Sequence, residues 1–209
     1  MMDRRWRRTR SIAVGTCLAA LGLAGCGSEA EPTSETTSSE AQKVLSAMQD
    51  WESGDERAAI ETLLAMDWTA DVRFGRDCPL FAMTESQCVA LAADKRREVL
   101  DEVTSQLPIC QEIGRECVAL AQEARAAGDH ARAETTLRAA VNLGQLLDRD
   151  ADRMLIVRLS GIAVQRRALE ELSSLYAARG EQGKLDETRE HIHKIQEELR
   201  EVKRVAAGQ

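Results

Sequence analysis

Proline is scarce in this chain, with three in 209 residues, and aromatic side chains make up 3% of it. Few prolines mean few helix breakers, and the abundance of Ala, Leu, Glu and Arg favours helix. Catalytic signatures are missing as well: the sequence has no G-x-S-x-G elbow, no phosphate-cradling glycine loop, no H-E-x-x-H and no strand-glycine-helix dinucleotide unit. No catalytic residue, cofactor or metal set is therefore expected. No Cys-x-x-Cys occurs among the six cysteines, which argues against a zinc knuckle or a dithiol redox centre. The balance of 28 basic against 35 acidic residues, a net of −7, argues against a partner that is a nucleic acid. With 30% charged and 44% hydrophobic residues the composition is that of a globular chain.

The N-terminus is patterned as an address. Arg4, Arg5, Arg7, Arg8 and Arg10 form a basic block, and Ser11 to Gly25 follows without charge. That stretch is short of the roughly 20 apolar residues needed to span a bilayer, and it fits a secretory signal segment. It ends in Leu23-Ala24-Gly25-Cys26, which resembles a bacterial lipobox. The resemblance implies cleavage before Cys26, lipidation of its thiol, and anchoring to a bacterial membrane, facing the periplasm or the cell surface. One acyl chain binds marginally, so two or three on Cys26 are needed for a stable anchor. Gly27 stands where some bacteria place an Asp to retain such proteins on the inner membrane, which tilts the expectation to the outer one.

Residues 1–25 hold five of the arginines and one aspartate, so 23 basic and 34 acidic residues remain beyond them, a net of −11. An anionic leaflet repels such a body, which is expected to stand off it. Residues 26–40 are small, polar and acidic, a flexible tether whose 13 residues from Gly27 to Ser39 span roughly 20 Å.

From residue 41 to 206 the apolar period is helical, and one all-α domain of about six or seven helices is expected. Ala41, Val44, Leu45, Met48 and Trp51 form one stripe, and Ala59, Leu63 and Met66 another after a turn at Ser53-Gly54-Asp55, where Ser53-x-x-Glu56 reads as a capping box. Residues 67–83 have no period. Thr84-x-x-Gln87 opens a helix expected to end near Gln106, before Pro108. Stripes through Ile113–Ala124 and Ala133–Leu147 flank Gly128-Asp129. A buried helix starts within 154–164 and runs to Gly180. In the last helix Leu185, Thr188, Ile192, Ile195, Leu199 and Val202 form a narrow seam, suited to capping an array or to self-association.

Glu116 to Leu143 resembles a tetratricopeptide repeat: Leu120 and Ala121 in a first helix, Gly128-Asp129 at the turn, Ala133, Leu137 and Ala140 in a second. Ser53–Met66 and Leu169–Ile192 repeat parts of it at irregular spacing. The resemblance implies antiparallel helical hairpins.

Cys78, Cys88, Cys110 and Cys117 remain in a chain expected to be exported, and two disulfides are expected, with three connectivities possible. If Cys110 and Cys117 share a helix they lie about 10 Å apart along its axis, and each must pair with Cys78 or Cys88. Four of the aromatics, Trp51, Trp68, Phe74 and Phe81, gather around the 67–83 segment, as a satellite core or as a partner-binding patch. His191 and His193 point about 200° apart on a helix, and His130 lies in a turn. Asp148, Asp150 and Asp152 open like a calcium loop, but Arg153 stands where Gly is required and Leu159 where the last Glu belongs. The expected function is a membrane-anchored, non-enzymatic scaffold or adaptor for a protein or peptide. The alternative is a structural lipoprotein that self-associates through Leu185, Ile192, Ile195, Leu199 and Val202.

Overall fold

Glycine sets the architecture. Gly54, Gly128 and Gly180 have φ of 89°, 82° and 68° in a computed structural model that describes residues 37–206. Only glycine adopts that left-handed conformation without strain, and here it reverses the chain after a helix. Each closes a hairpin: α1 (Ser39–Ser53) with α2 (Glu56–Leu64), α5 (Ala93–Ala126) with α6 (His130–Leu147), and α7 (Leu155–Arg179) with α8 (Gln182–Ala206). Two short helices, α3 (Pro79–Ala82) and α4 (Glu85–Ala90), lie between the first and second hairpins. The described residues thus form an all-α array of eight helices, with no strand among them beyond one isolated bridge between Thr84 and Arg153. None of these helices is long and apolar enough to cross a membrane.

The hairpins stack with their first helices running in the same direction. Gln111 Nε2 donates to Ser160 Oγ, Gln122 Nε2 to Glu171 Oε1 and Arg125 Nη1 to Ser174 Oγ, each pair 49 residues apart. A constant offset across α5 and α7 means parallel helices in one register. Cys110 packs against Met48 Sδ and Trp51 Nε1 donates to Glu112, so α1 runs parallel to α5 at an offset of 62 and 61.

Small residues bring the helices close. An added Cβ on Gly161 would sit 2.5 Å from the Gly144 carbonyl oxygen and 2.8 Å from Leu147 Cβ, and one on Gly144 would sit 2.7 Å from the Gly161 carbonyl oxygen. Gly114 gives the same intimacy between α5 and Val164. Ala121, Ala124, Ala133 and Ala140 are buried between α5 and α6. The core runs through all three hairpins, from Val44 and Leu63 through Ile113 and Leu137 to Leu175 and Ile195.

Several expectations are corrected. The first described helix starts at Ser39, capped by Ser38 Oγ, inside the stretch expected to be tether. Asp55, not Ser53, caps α2, through its bond from the Ala58 amide; Ser53 instead donates to the Asp50 carbonyl as α1 ends. Thr84 and Gln87 do form a reciprocal capping box, yet it opens only α4, and the chain turns extended at Leu91 before α5. Pro108 lies inside α5 and does not end it. Its position explains this: Pro108 is exposed, so water can serve the carbonyl its missing N–H leaves free, while Val103, Leu107, Ile109 and Cys110 on either side are buried. That burial outweighs the roughly 3 kcal/mol an interior proline costs a helix.

Candidate functional site

Successive hairpins leave a cleft between their second helices, floored by a first helix. The larger cleft, about 440 Å³, lies between α2 and α6 over α5 and is lined by Ile60, Leu64 and Leu120 with Glu61, Glu116 and Arg132 around them. A second, about 220 Å³, lies between α6 and α8 over α7 and includes Leu169, Tyr176, Lys184, Thr188 and His191. The two correspond at several lining positions. Leu169 lies 49 residues after Leu120, the offset of the hydrogen-bonded α5–α7 pairs. Lys184 and Thr188 lie 52 residues after Arg132 and Thr136, the offset between Gly128 and Gly180. Thr136 and Thr188 are both buried, and each donates to the carbonyl four residues earlier.

Their electrostatics differ. The second cleft is braced by a partly exposed network around Glu134. Tyr176 OH donates to Glu134 Oε1 at 2.9 Å, Arg138 Nη2 donates to Tyr176 OH at 3.0 Å, and Lys184 Nζ and Arg179 reach Glu134 at 3.1 and 3.3 Å. Burial works to raise the Glu134 carboxyl, but hydrogen bonds from Lys184 and Tyr176 outweigh it and hold the carboxyl below its usual range. Beside it, burial and the nearby Lys194 charge push His191 below the ordinary histidine value. The first cleft has no such brace: Arg57 and Glu61 pair at 2.7 Å on its open rim, and apolar Leu64 and Leu120 are only partly covered. It is the more accommodating of the two.

Opposite the glycine turns, arginines hold the irregular chain. Arg149 Nη1 donates to the Val72 carbonyl at 2.6 Å, Arg153 to the Phe81 carbonyl and to Asp150, Arg158 Nη1 to the Ala151 carbonyl at 2.9 Å, and Arg96 Nη2 to the Val89 and Leu91 carbonyls. Loops leave carbonyls without ladder partners, and a guanidinium offers five donors to meet them. Arg149 and Arg153 carry no catalytic or ligand motif, so their part escapes sequence reasoning. The one available signal is the density of Arg and Asp between residues 148 and 158.

The predicted site residues fare unevenly. Lipidation of Cys26 and the signal peptide 1–25 lie outside the described residues. The two expected disulfides are not formed: Cys78, Cys88, Cys110 and Cys117 are free thiols. Cys110 and Cys117 do share one helix, α5, and burial pushes both thiols up to about 12, which makes them small core side chains rather than nucleophiles. Phe74 and Phe81 stack with centroids 4.1 Å apart, Phe81 is buried, and Trp68 Nε1 donates to the Leu63 carbonyl. Trp51, bonded to Glu112, sits away on α1 with its ring packed on the core. The four aromatics are thus mostly inward packing, with half-buried edges. The seam of α8 is also used inside the chain, since Leu185 and Ile195 are buried and Ile192 and Leu199 pack on the same core. Asp148 and Asp150 are engaged by Arg158 and Arg153. His193 faces Glu197 at 3.7 Å, apart from His191. No family model, no curated protein and no solved structure matches the chain.

Proposed function

We propose that this is a lipid-anchored, non-enzymatic helical-repeat protein of a bacterial envelope, tetratricopeptide-like in plan, that holds a protein or peptide partner in the cleft between α2 and α6. The observation that carries the reading is the pair of corresponding clefts in a stack of glycine-closed hairpins. Stacked hairpins present such grooves as binding surfaces. The first cleft, unbraced and about 440 Å³, has the size and mixed lining of a site for a few side chains. The lipobox-like Leu23-Ala24-Gly25-Cys26 supports an anchor, and the outer membrane is the favoured location. Recruitment follows from tethering: a membrane-fixed cleft meets a neighbouring partner at high effective concentration. The self-association reading loses support because the Leu185–Ile195 part of the α8 seam packs within its own chain.

A photo-crosslinking side chain at Glu116, in intact cells, is expected to yield a discrete protein adduct that Glu61→Lys weakens at least fivefold. The same group at Glu190, on the exposed face of α8, is expected to yield none. Absence of an adduct at Glu116, or one indifferent to Glu61→Lys, would overturn the cleft as the binding site.

A further inference from the structure

The exposed large hydrophobic residues of the described chain all lie at one end of it. Val89 is 57% exposed, Ile156 44%, Leu100 and Leu155 39% each, and Leu159 37%. Val89 sits in α4, Leu100 in the second turn of α5, and the other three in the first turns of α7. The parallel registers stagger them along the stack by up to ten residues, roughly 15 Å. Ser39, where α1 begins, stands level with the α5 residues 61–62 further on, which is Leu100 and its neighbour. Leu155, less 49, stands level with Gln106 of the same helix. Glu85 accepts the Leu155 amide at 3.1 Å and its own amide bonds to the Asp152 carbonyl, which ties α4 to the start of α7. The chain also enters here: Thr37 Oγ1 accepts from the Gly75 amide, and Ser38 holds the Arg73 amide. The opposite end, with the turns at Gly54, Gly128 and Gly180, exposes no large hydrophobic side chain among the described residues.

We propose that this end, built from α4, the start of α5 and the start of α7, is a docking face for a phospholipid bilayer, on which the body rests rather than standing off. The proposal rests on the lipid-anchor reading of Cys26. Eleven residues separate Cys26 from Ser38, a length that as a flexible coil would reach about 20 Å, so a lipid on Cys26 would hold this end within that distance of the interface. The charge is distributed to allow it. Residues 71–102 carry seven acidic and five basic side chains and residues 148–159 three of each, so most of the net −11 beyond residue 25 lies elsewhere. Lys95, paired with Glu98 at 2.7 Å, and Arg97 are exposed beside the apolar residues, and Arg97 can meet a phosphate headgroup. Tethering turns a weak apolar contact into a populated one, because the second binding event is intramolecular.

The test uses the full-length protein purified from membranes and reconstituted in phosphatidylcholine vesicles that contain a lipid with a photoactivatable acyl chain. Label is expected on the peptides holding 85–100 and 155–159, at least fivefold above the 125–134 turn, and Ile156→Asp is expected to remove most of it from α7. A chain whose mass shows lipid on Cys26 but whose 155–159 peptide is labelled no more than the turn overturns the docking face alone. An intact mass without lipid overturns the anchor and the docking together. Copy-to-copy crosslinks through Leu155–Leu159 would give the face to a second molecule and overturn the proposal.

Discussion

Two kinds of contact, side by side where α6 passes into α7, are built by different chemistry. At the α6–α7 contact, Gly144 and Gly161 let two backbones approach until no Cβ fits between them, and the seal is made of van der Waals contact. At the end where α3 and α4 lie, Arg96, Arg149, Arg153 and Arg158 replace that packing by donating to carbonyls of chain that has no regular structure. The first kind of contact tolerates no added atom. The second tolerates shape change but not loss of a donor. The contrast locates rigidity in the α6–α7 packing and adaptability in the irregular chain between α2 and α5.

The sharpest way to break that contrast is Gly161→Val. Its side chain meets the Gly144 carbonyl and Leu147, so overpacking is expected to cost about 3 kcal/mol and lower the Tm by roughly 6–12 °C. Gly183→Ala, in a first turn where an added Cβ meets nothing within 4 Å, is the control; it should gain up to about 1 kcal/mol from helix propensity alone. Equal effects from the two would deny that the close approach holds the hairpins. Next in size is Arg153→Met, which leaves the buried Phe81 carbonyl without its donor and Asp150 without its partner. A loss of about 2 kcal/mol is expected. Its signature is regional: trypsin should cut faster at Arg73 and Arg76 and amides of 67–84 should exchange sooner, while α6 and α7 keep their protection. Uniform loosening of all helices would show that the arginine end is not a separate layer of stability.

This difference also explains what was legible. The glycine turns and the small residues after them are local signals, and Gly54, Gly128 and Gly180 could be read as hairpin closures from their place between apolar stripes. The long run of α7 was readable too, because its apolar pattern continues to the αL glycine. Pro108 misled, since whether a proline ends a helix depends on whether its neighbours are buried elsewhere in the fold. The disulfides misled for a related reason: an even cysteine count in a chain expected to be exported is a compartment argument, and it is blind to Cys110 and Cys117 being buried along one helix. The arginine end was least visible. Side chain to carbonyl bonds across 72 and 77 residues leave no periodicity, and the charges read as solvated surface. Of the clefts, Leu120, Leu169, Tyr176 and Thr188 were apparent as members of apolar stripes; their correspondence needed the registers of α5 with α7.

The smallest predicted effect probes the brace of the second cleft, where packing and charge meet. Glu134 is held in its ionised form by Lys184, Tyr176 and Arg138, so its folded-state pKa lies below the unfolded value of about 4.3. A depressed carboxyl stabilises the fold fully above the unfolded pKa, and that stabilisation fades as pH falls through the folded one. Glu134→Gln keeps the shape and one acceptor while removing the charge. At pH 7 it should cost about 1 kcal/mol, or roughly 2–4 °C in Tm, since the site is partly open to water. As the pH falls through the depressed folded-state pKa the wild-type carboxyl gains its proton, and the two melting curves should converge. Curves that stay apart by the same interval down to pH 2.5 would mean that Glu134 acts through packing, and the braced cleft would then be held by the same kind of contact as the glycine pair rather than by its ion pairs.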